Sequence, residues 1–176
     1  MNTSRFLLVL ASAVALALPF CAANAAETGG CDAFAWPIAT ELQWMKASDS
    51  EALTSGAKLS APPAKAISLT LMPTTEVSFP VAPTSRKKGD AGETFGGIVN
   101  FDGAAEPGVY QVTIDTAGWI DVVQNGKALR SSAHTGKVDC NGVRKSVRFD
   151  IGFGPFSIEL SGFAKDAIKF AIRRAE

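Results

Sequence analysis

The stretch Ser132 to Gly142 reads SAHTGKVDCNG and gathers the chain's one histidine, His134, with Asp139 and one of its three cysteines, Cys140. A cysteine beside a histidine is the raw material of thiolate catalysis, provided that the thiol is free to ionise. Serines flank the histidine at Ser131 and Ser132, but no GxSxG elbow exists anywhere to expose an activated hydroxyl. Zinc sites draw on several His or Cys ligands, and mononuclear non-haem iron on two histidines and a carboxylate. One histidine meets neither pattern. No DxDxD loop suited to calcium is present, since Asp102, Asp115, Asp121, Asp139 and Asp150 are scattered. The run FGGIVNF has no following helix and is not a phosphate loop. Glu106, Asp121 and Glu159 are carboxylates on or beside strands, and a hydrolytic pair among them depends on spatial proximity that spacing does not reveal. The residue inventory therefore nominates no catalytic residue, no metal ligand set and no cofactor.

The amino-terminal segment bears on the state of Cys140. Arg5, an apolar run from Phe6 to Leu18, Pro19 and the small-residue exit ANA ending at Ala25 form the pattern of a cleaved secretory signal, too short for a membrane span. Cys21 follows bulky Phe20, which disfavours lipidation, and leaves with residues 1–25. About 150 residues remain, enough for one domain. An exported chain, periplasmic or secreted, that keeps Cys31 and Cys140 most simply joins them in a disulfide. The full chain carries 17 basic and 17 acidic residues; this balance gives no electrostatic case for nucleic acid or an anionic membrane, and no membrane insertion is expected after cleavage.

Positioning of these groups falls to two regions, residues 26–65 and 66–176. In the first, CDAFAWPIATELQWMKA predicts a helix from Cys31 to Ala47 with Ile38, Leu42 and Met45 on one stripe and Pro37 in its first turn. Phe34, Trp36 and Trp44 are expected to dock on a sheet rather than form a ligand platform. Residues 48–65, polar and Pro-terminated, read as a linker.

The second region alternates with period two. AISLTLM, EVSFPV (an edge strand because of Pro80), TFGGIVNF, VYQVTID, WIDVVQ, KSVRFDI, FSIEL and AIKFAI are separated by turn residues, predicting an antiparallel β-sandwich of jelly-roll type with the amino-terminal helix packed on a face. Asn125-Gly126 predicts a hairpin joining Trp119–Gln124 to Lys127–Ser132. WIDVVQ is apolar on both faces, so both are covered, the second by the helix or else by a ligand or another copy of the chain. The segment from Val81 to Thr94, with Arg86-Lys87-Lys88, reads as an exposed loop.

Two resemblances follow from these strings. GVYQVTIDTAGWIDVVQNGKALRSS and SVRFDIGFGPFSIELSGFAKDAIKFAI, with Asp121, Asn125-Gly126, Ser131-Ser132, Gly154, Phe156, Ile158, Leu160 and Gly162 in the pattern positions, resemble the bacterial pre-peptidase C-terminal domain over roughly residues 67–173. That resemblance implies a jelly-roll-like accessory module that binds or assists; the added CDAFAWP segment and the lack of an adjoining peptidase depart from it. The signal, C-x-x-F-x-W-P and GWIDVVQNG…C…RKSVRF together are similar to small exported bacterial proteins designated homogentisate 1,2-dioxygenase, which implies an iron oxygenase.

The expectation is a non-catalytic exported module for a small ligand, an envelope glycan or a protein partner, with Trp119, Tyr110, Asp121 and His134 as its ligand surface. The alternative is an enzyme, either that oxygenase or an unrecognised hydrolase.

Overall fold

The computed structural model describes residues 29–84 and 94–176. The expected signal peptide, the reading of Cys21 and the basic cluster at 86–88 lie outside the described residues. Among the described residues twelve strands make two sheets. They are β1 (Glu51–Thr54), β2 (Lys58–Leu59), β3 (Ile67–Thr70), β4 (Met72–Pro73), β5 (Phe95–Phe101), β6 (Gly108–Ile114), β7 (Trp119–Gln124), β8 (Lys127–Ala128), β9 (Ser131–Gly136), β10 (Lys145–Ile151), β11 (Phe156–Phe163) and β12 (Ala167–Arg174).

The first sheet has the order β1-β3-β12-β6-β10-β9 and the second β2-β5-β11-β7-β8, with β4 also paired to β5. Alternation along the strands turns one residue in two toward the facing sheet. Val112 and Ile114 of β6, Phe149 and Ile151 of β10, Ile158 and Leu160 of β11 and Phe170 of β12 are thereby sealed between the sheets. Phe101 and Phe156 stack there with ring centroids 4.8 Å apart. The predicted sandwich is the observed architecture.

Its details differ in four places, each with a local cause. Residues 48–65 are not a simple linker. β1 pairs in parallel with β3, and β2 in parallel with β5, so each sheet gains an edge strand and becomes mixed. These strands are short and carry one large apolar residue each, Leu53 and Leu59, too little alternation to stand out. EVSFPV forms no strand. After a 3-10 turn at Thr74–Glu76, the chain from Val77 to Thr84 crosses the outer face of the second sheet. The half-buried Val77, Phe79 and Val81 retain the expected alternation. Pro80 has no N–H to offer a ladder, and the Phe79 ring lies so close to Gly96 that a Cβ there would sit 3.1 Å from it.

The hairpin is present, with Asn125 at φ 53° and Gly126 at φ 71°, as a tight turn of this type requires. However, β8 ends at Ala128 and the chain passes at Leu129 and Arg130 into the other sheet, where β9 pairs with β10. Finally, the predicted helix divides. Cys31–Ala33 is a single 3-10 turn and the α-helix, α1, runs only from Ala39 to Lys46. Pro37 precedes α1 instead of opening it, because a proline pushes the residue before it, here Trp36, toward extended backbone. The N–H of Ala35 meanwhile donates to Thr135 Oγ1 at 3.1 Å.

This amino-terminal segment covers the outer face of the first sheet, not that of β7, whose second face is crossed by Val77–Thr84. Phe34, Trp36, Ile38 and Met45 bury against Ala66, Val143 and Ala171. Cys31 and Cys140 lie at disulfide-bonding distance in the same layer, with Cα atoms 4.6 Å apart. Polar groups share the interface. Glu41, fully buried, accepts from Arg173 Nε at 2.8 Å and from the Gln111 amide. Arg148 donates to Gln111 Oε1 and lies 4.2 Å from the Trp36 ring centre, while Trp36 Nε1 donates to Ser146 Oγ. Lys169 Nζ donates to the carbonyls of Met45 and Ala47 at the end of α1, a favourable place for a cation. Among the described residues no helix is long and apolar enough to cross a membrane.

Candidate functional site

The opening stretch is taken apart by the fold. Asp139 Oδ2 accepts the N–H of Gly29 at 2.8 Å, and the Gly29 and Gly30 amides hold its carboxyl below the ordinary aspartate range. Cys140 joins Cys31. Both residues therefore tether the amino-terminal segment. His134 goes elsewhere. It sits on β9 directly opposite Val147 of β10, and since paired residues share a face, its ring points to the inter-sheet side. Because β9 is an edge strand, that position is exposed at the mouth of the sandwich.

At the same edge β7 brings Trp119 and Asp121, which leave the strand on the face opposite Ile120 and Val122. Where β8 stops and the chain crosses between the sheets at Leu129, a cavity of 560 Å³ opens at this edge. Trp119, Asp121 and His134 all line it; so three of the four nominated residues converge. Tyr110 does not join them. It is buried between the sheets and its hydroxyl donates to the Glu106 carbonyl at 2.7 Å, a core role.

Apolar Ile120, Leu129, Val147 and Phe149 line the cavity together with Thr84, Ser131 and Thr135 and with the cations Arg130, Arg144 and Lys145. Sequence reasoning missed these cations; they are spread over two segments that only the β9–β10 pairing joins. Trp119 is held in place from two sides. Its Nε1 donates to Thr84 Oγ1 at 3.0 Å, and Lys145 Nζ lies 5.3 Å from its ring centre while donating to the Gly118 carbonyl at 2.8 Å. Thr84 in turn donates its N–H, at 3.0 Å, and its hydroxyl to the Asp121 carboxylate.

Asp121 has a second neighbour. It lies directly opposite Glu159 on the outer face of the second sheet, so two of the three carboxylates singled out by sequence do meet. The third, Glu106, is exposed and pairs with Arg174. Glu159 is 1% exposed, accepts the Val81 N–H at 3.4 Å through Oε1, and has no hydrogen-bond partner at Oε2. Burial chiefly raises its pKa, the Val81 N–H opposes the shift, and the Asp121 charge adds to it. A hydrolytic pair needs both carboxyls on one substrate; here both lie under Val77–Thr84, Glu159 accepting from Val81 and Asp121 from Thr84.

The raised pKa has a measurable consequence. A group that holds its proton more tightly folded than unfolded makes the native state the better proton binder, so stability falls as pH rises. The window opens near the ordinary glutamate value of 4.5 and ends at the raised one. Asp115, raised chiefly by burial, contributes with the same sign from 3.8 upward. Urea midpoints measured from pH 4.5 toward neutrality should decline for the parent chain, and Glu159→Gln should flatten that decline; an unchanged slope would contradict the assignment.

Among the described residues no three His, Cys, Asp or Glu side chains come together as a metal site. The donors around His134 are cations and Asp121, a set that does not fit the iron implied by the dioxygenase resemblance. Compared with family models, curated protein sequences and solved structures, the chain matches none.

Proposed function

We propose that this chain is an exported, non-catalytic β-sandwich module that binds a small molecule in the cavity between β7 and β9–β10. The observation that carries this reading is the convergence of Trp119, Asp121 and His134 on one cavity of 560 Å³, a size typical of sites that enclose a small ligand. An accessory role agrees with the resemblance to the pre-peptidase C-terminal domain. Export agrees with the signal-like amino terminus and with a Cys31–Cys140 bond, which an oxidising compartment maintains.

Filling the cavity tests the proposal. Leu129→Trp adds bulk at its inner wall. Thermal unfolding of the parent and variant is compared across panels of fatty acids, envelope oligosaccharides and short peptides. A specific ligand at a hundred times its Kd stabilises by about 2.7 kcal/mol, a rise of roughly 5–10 °C for a domain of this size. At least one panel member should produce such a rise in the parent and not in the variant. If no compound separates the two proteins, the cavity is not a binding site.

The hydrolase reading has one observation in its favour, the opposed Asp121 and Glu159, and the burial of Glu159 weighs against it.

A further inference from the structure

We propose that the segment Val77–Thr84 is a latch held shut by one proton on Glu159: with the proton in place the segment lies across the second sheet, and when the proton leaves, the segment lifts. The device stands independently of the binding reading above. Its basis is the way the segment is fastened. It joins no strand ladder, and Pro80 and Pro83 have no N–H to offer one. Among the described residues its hydrogen bonds to the sheet all run through side chains. Val81 N–H donates to Glu159 Oε1 at 3.4 Å, Thr84 donates its N–H and hydroxyl to Asp121, and Trp119 Nε1 donates to Thr84 Oγ1. Val77, Phe79 and Val81 are only half-buried. A stretch with so few buried contacts opens at a lower cost than the whole sandwich unfolds.

Glu159 senses the proton. It is 1% exposed, and its Oε2 is buried without a hydrogen-bond partner. Ile98 of β5 and Asp121 of β7 lie directly opposite it on either side, Ser157 and Ser161 flank it on the same face of β11, and the segment crosses above. Lys145 meets this face over the Trp119 ring, 5.3 Å from its centre. Among the described residues Asp121 is the one charge that acts on Glu159. Protonated, Glu159 keeps Oε1 as the acceptor for Val81 and carries no charge. Ionised, it sets a second carboxylate beside Asp121 under apolar cover, with one long hydrogen bond to support it, which is unfavourable. Lifting the segment admits water to both carboxylates and relieves that burial. The closed form therefore binds the proton more tightly than the open form does, so it prevails at low pH and gives way as pH rises.

Hydrogen exchange of the intact protein reads the latch at the Val81 and Thr84 amides, each rate being divided by that of the unfolded segment at the same pH. From the ordinary glutamate value of 4.5 to neutrality, protection of both amides should fall several-fold, while Val112 and Ile114 in the core stay far better protected. Glu159→Gln keeps the shape and the acceptor but cannot ionise, and it should hold the two amides protected throughout. Phe79→Ala removes the ring that packs over Gly96, and it should free them even at the acid end while the core amides stay protected.

Segment amides as well protected as the core at every pH would overturn the inference, because the segment would then open only when the sandwich unfolds. So would protection that does not change with pH, or a fall of equal size in Glu159→Gln. Core amides that lose protection together with the segment in Phe79→Ala would make the segment part of the core and would equally refute a latch.

Discussion

Serine at both Cys31 and Cys140 should lower the unfolding free energy by about 3–5 kcal/mol. The bond spans 109 positions of sequence, and for a closed loop of order 100 residues the chain-entropy account gives about 4.7 kcal/mol, acting through the unfolded state. A domain of this size loses roughly 2–4 °C for each kcal/mol, so the melting temperature should drop by about 10–15 °C, and reductant should reproduce the drop in the parent. The native contacts of the covering segment do not depend on the bond: Phe34, Trp36, Ile38 and Met45 stay packed on the first sheet. Far-ultraviolet dichroism of the serine variant should therefore match the parent at low temperature. A melting temperature indifferent to reductant would contradict the prediction.

Glu41→Ala should cost about 3–5 kcal/mol, the usual penalty for removing one partner of a buried ion pair. Glu41 has no exposed surface, the Arg173 side chain is 13% exposed, and Gln111 is also fully buried. Without the carboxylate, the Arg173 guanidinium keeps, among the described residues, its contacts with Glu176 and the Arg174 carbonyl at the carboxyl-terminal edge. The Gln111 amide loses its acceptor. A buried pair is often no better than hydrocarbon of similar shape, so Glu41→Leu combined with Arg173→Met should recover most of the loss. Urea unfolding of the parent, the single variant and the double variant checks both statements. A single variant within about 1 kcal/mol of the parent would place Glu41 in solvent.

Glu41 also illustrates what the sequence conceals. Ile38, Leu42 and Met45 trace an apolar stripe, and by spacing alone Glu41 looks like a solvated neighbour. It is buried because the outer face of the first sheet is itself polar: Gln111 and Arg173 donate to Glu41, Ser146 accepts from Trp36, and Arg148 lies over the Trp36 ring. A sheet face of that composition reads as water-facing. Period-two alternation did make the inter-sheet core legible, through residues such as Val112, Phe149 and Ile158, and the turn at Asn125-Gly126 was visible in its residue types. The site was half legible. Trp119, Asp121 and His134 stand out as types, whereas the cavity arises from the crossing at Leu129 and Arg130, which no local pattern marks. Tyr110 looks the same as these three in sequence and differs by lying in the buried core instead of at the edge. Val77, Phe79 and Val81 alternate as a strand does, yet Pro80 leaves them lying across the sheet rather than in it.

The place of β12 in the first sheet carries a consequence for biosynthesis. It is the last of the twelve described strands, yet it lies between β3 and β6, and among the described residues no other pairing joins β1-β3 to β6-β10-β9. While the ribosome still holds Ala167–Arg174, that layer exists only as two fragments with an unfilled gap, and the apolar residues Ile168, Phe170 and Ile172 that complete its inner face are missing. Vectorial synthesis therefore yields no partial domain of lasting stability until Ala167–Arg174 is free to pair. A chain truncated before Ala167 should behave as an unfolded polymer, not as a smaller sandwich.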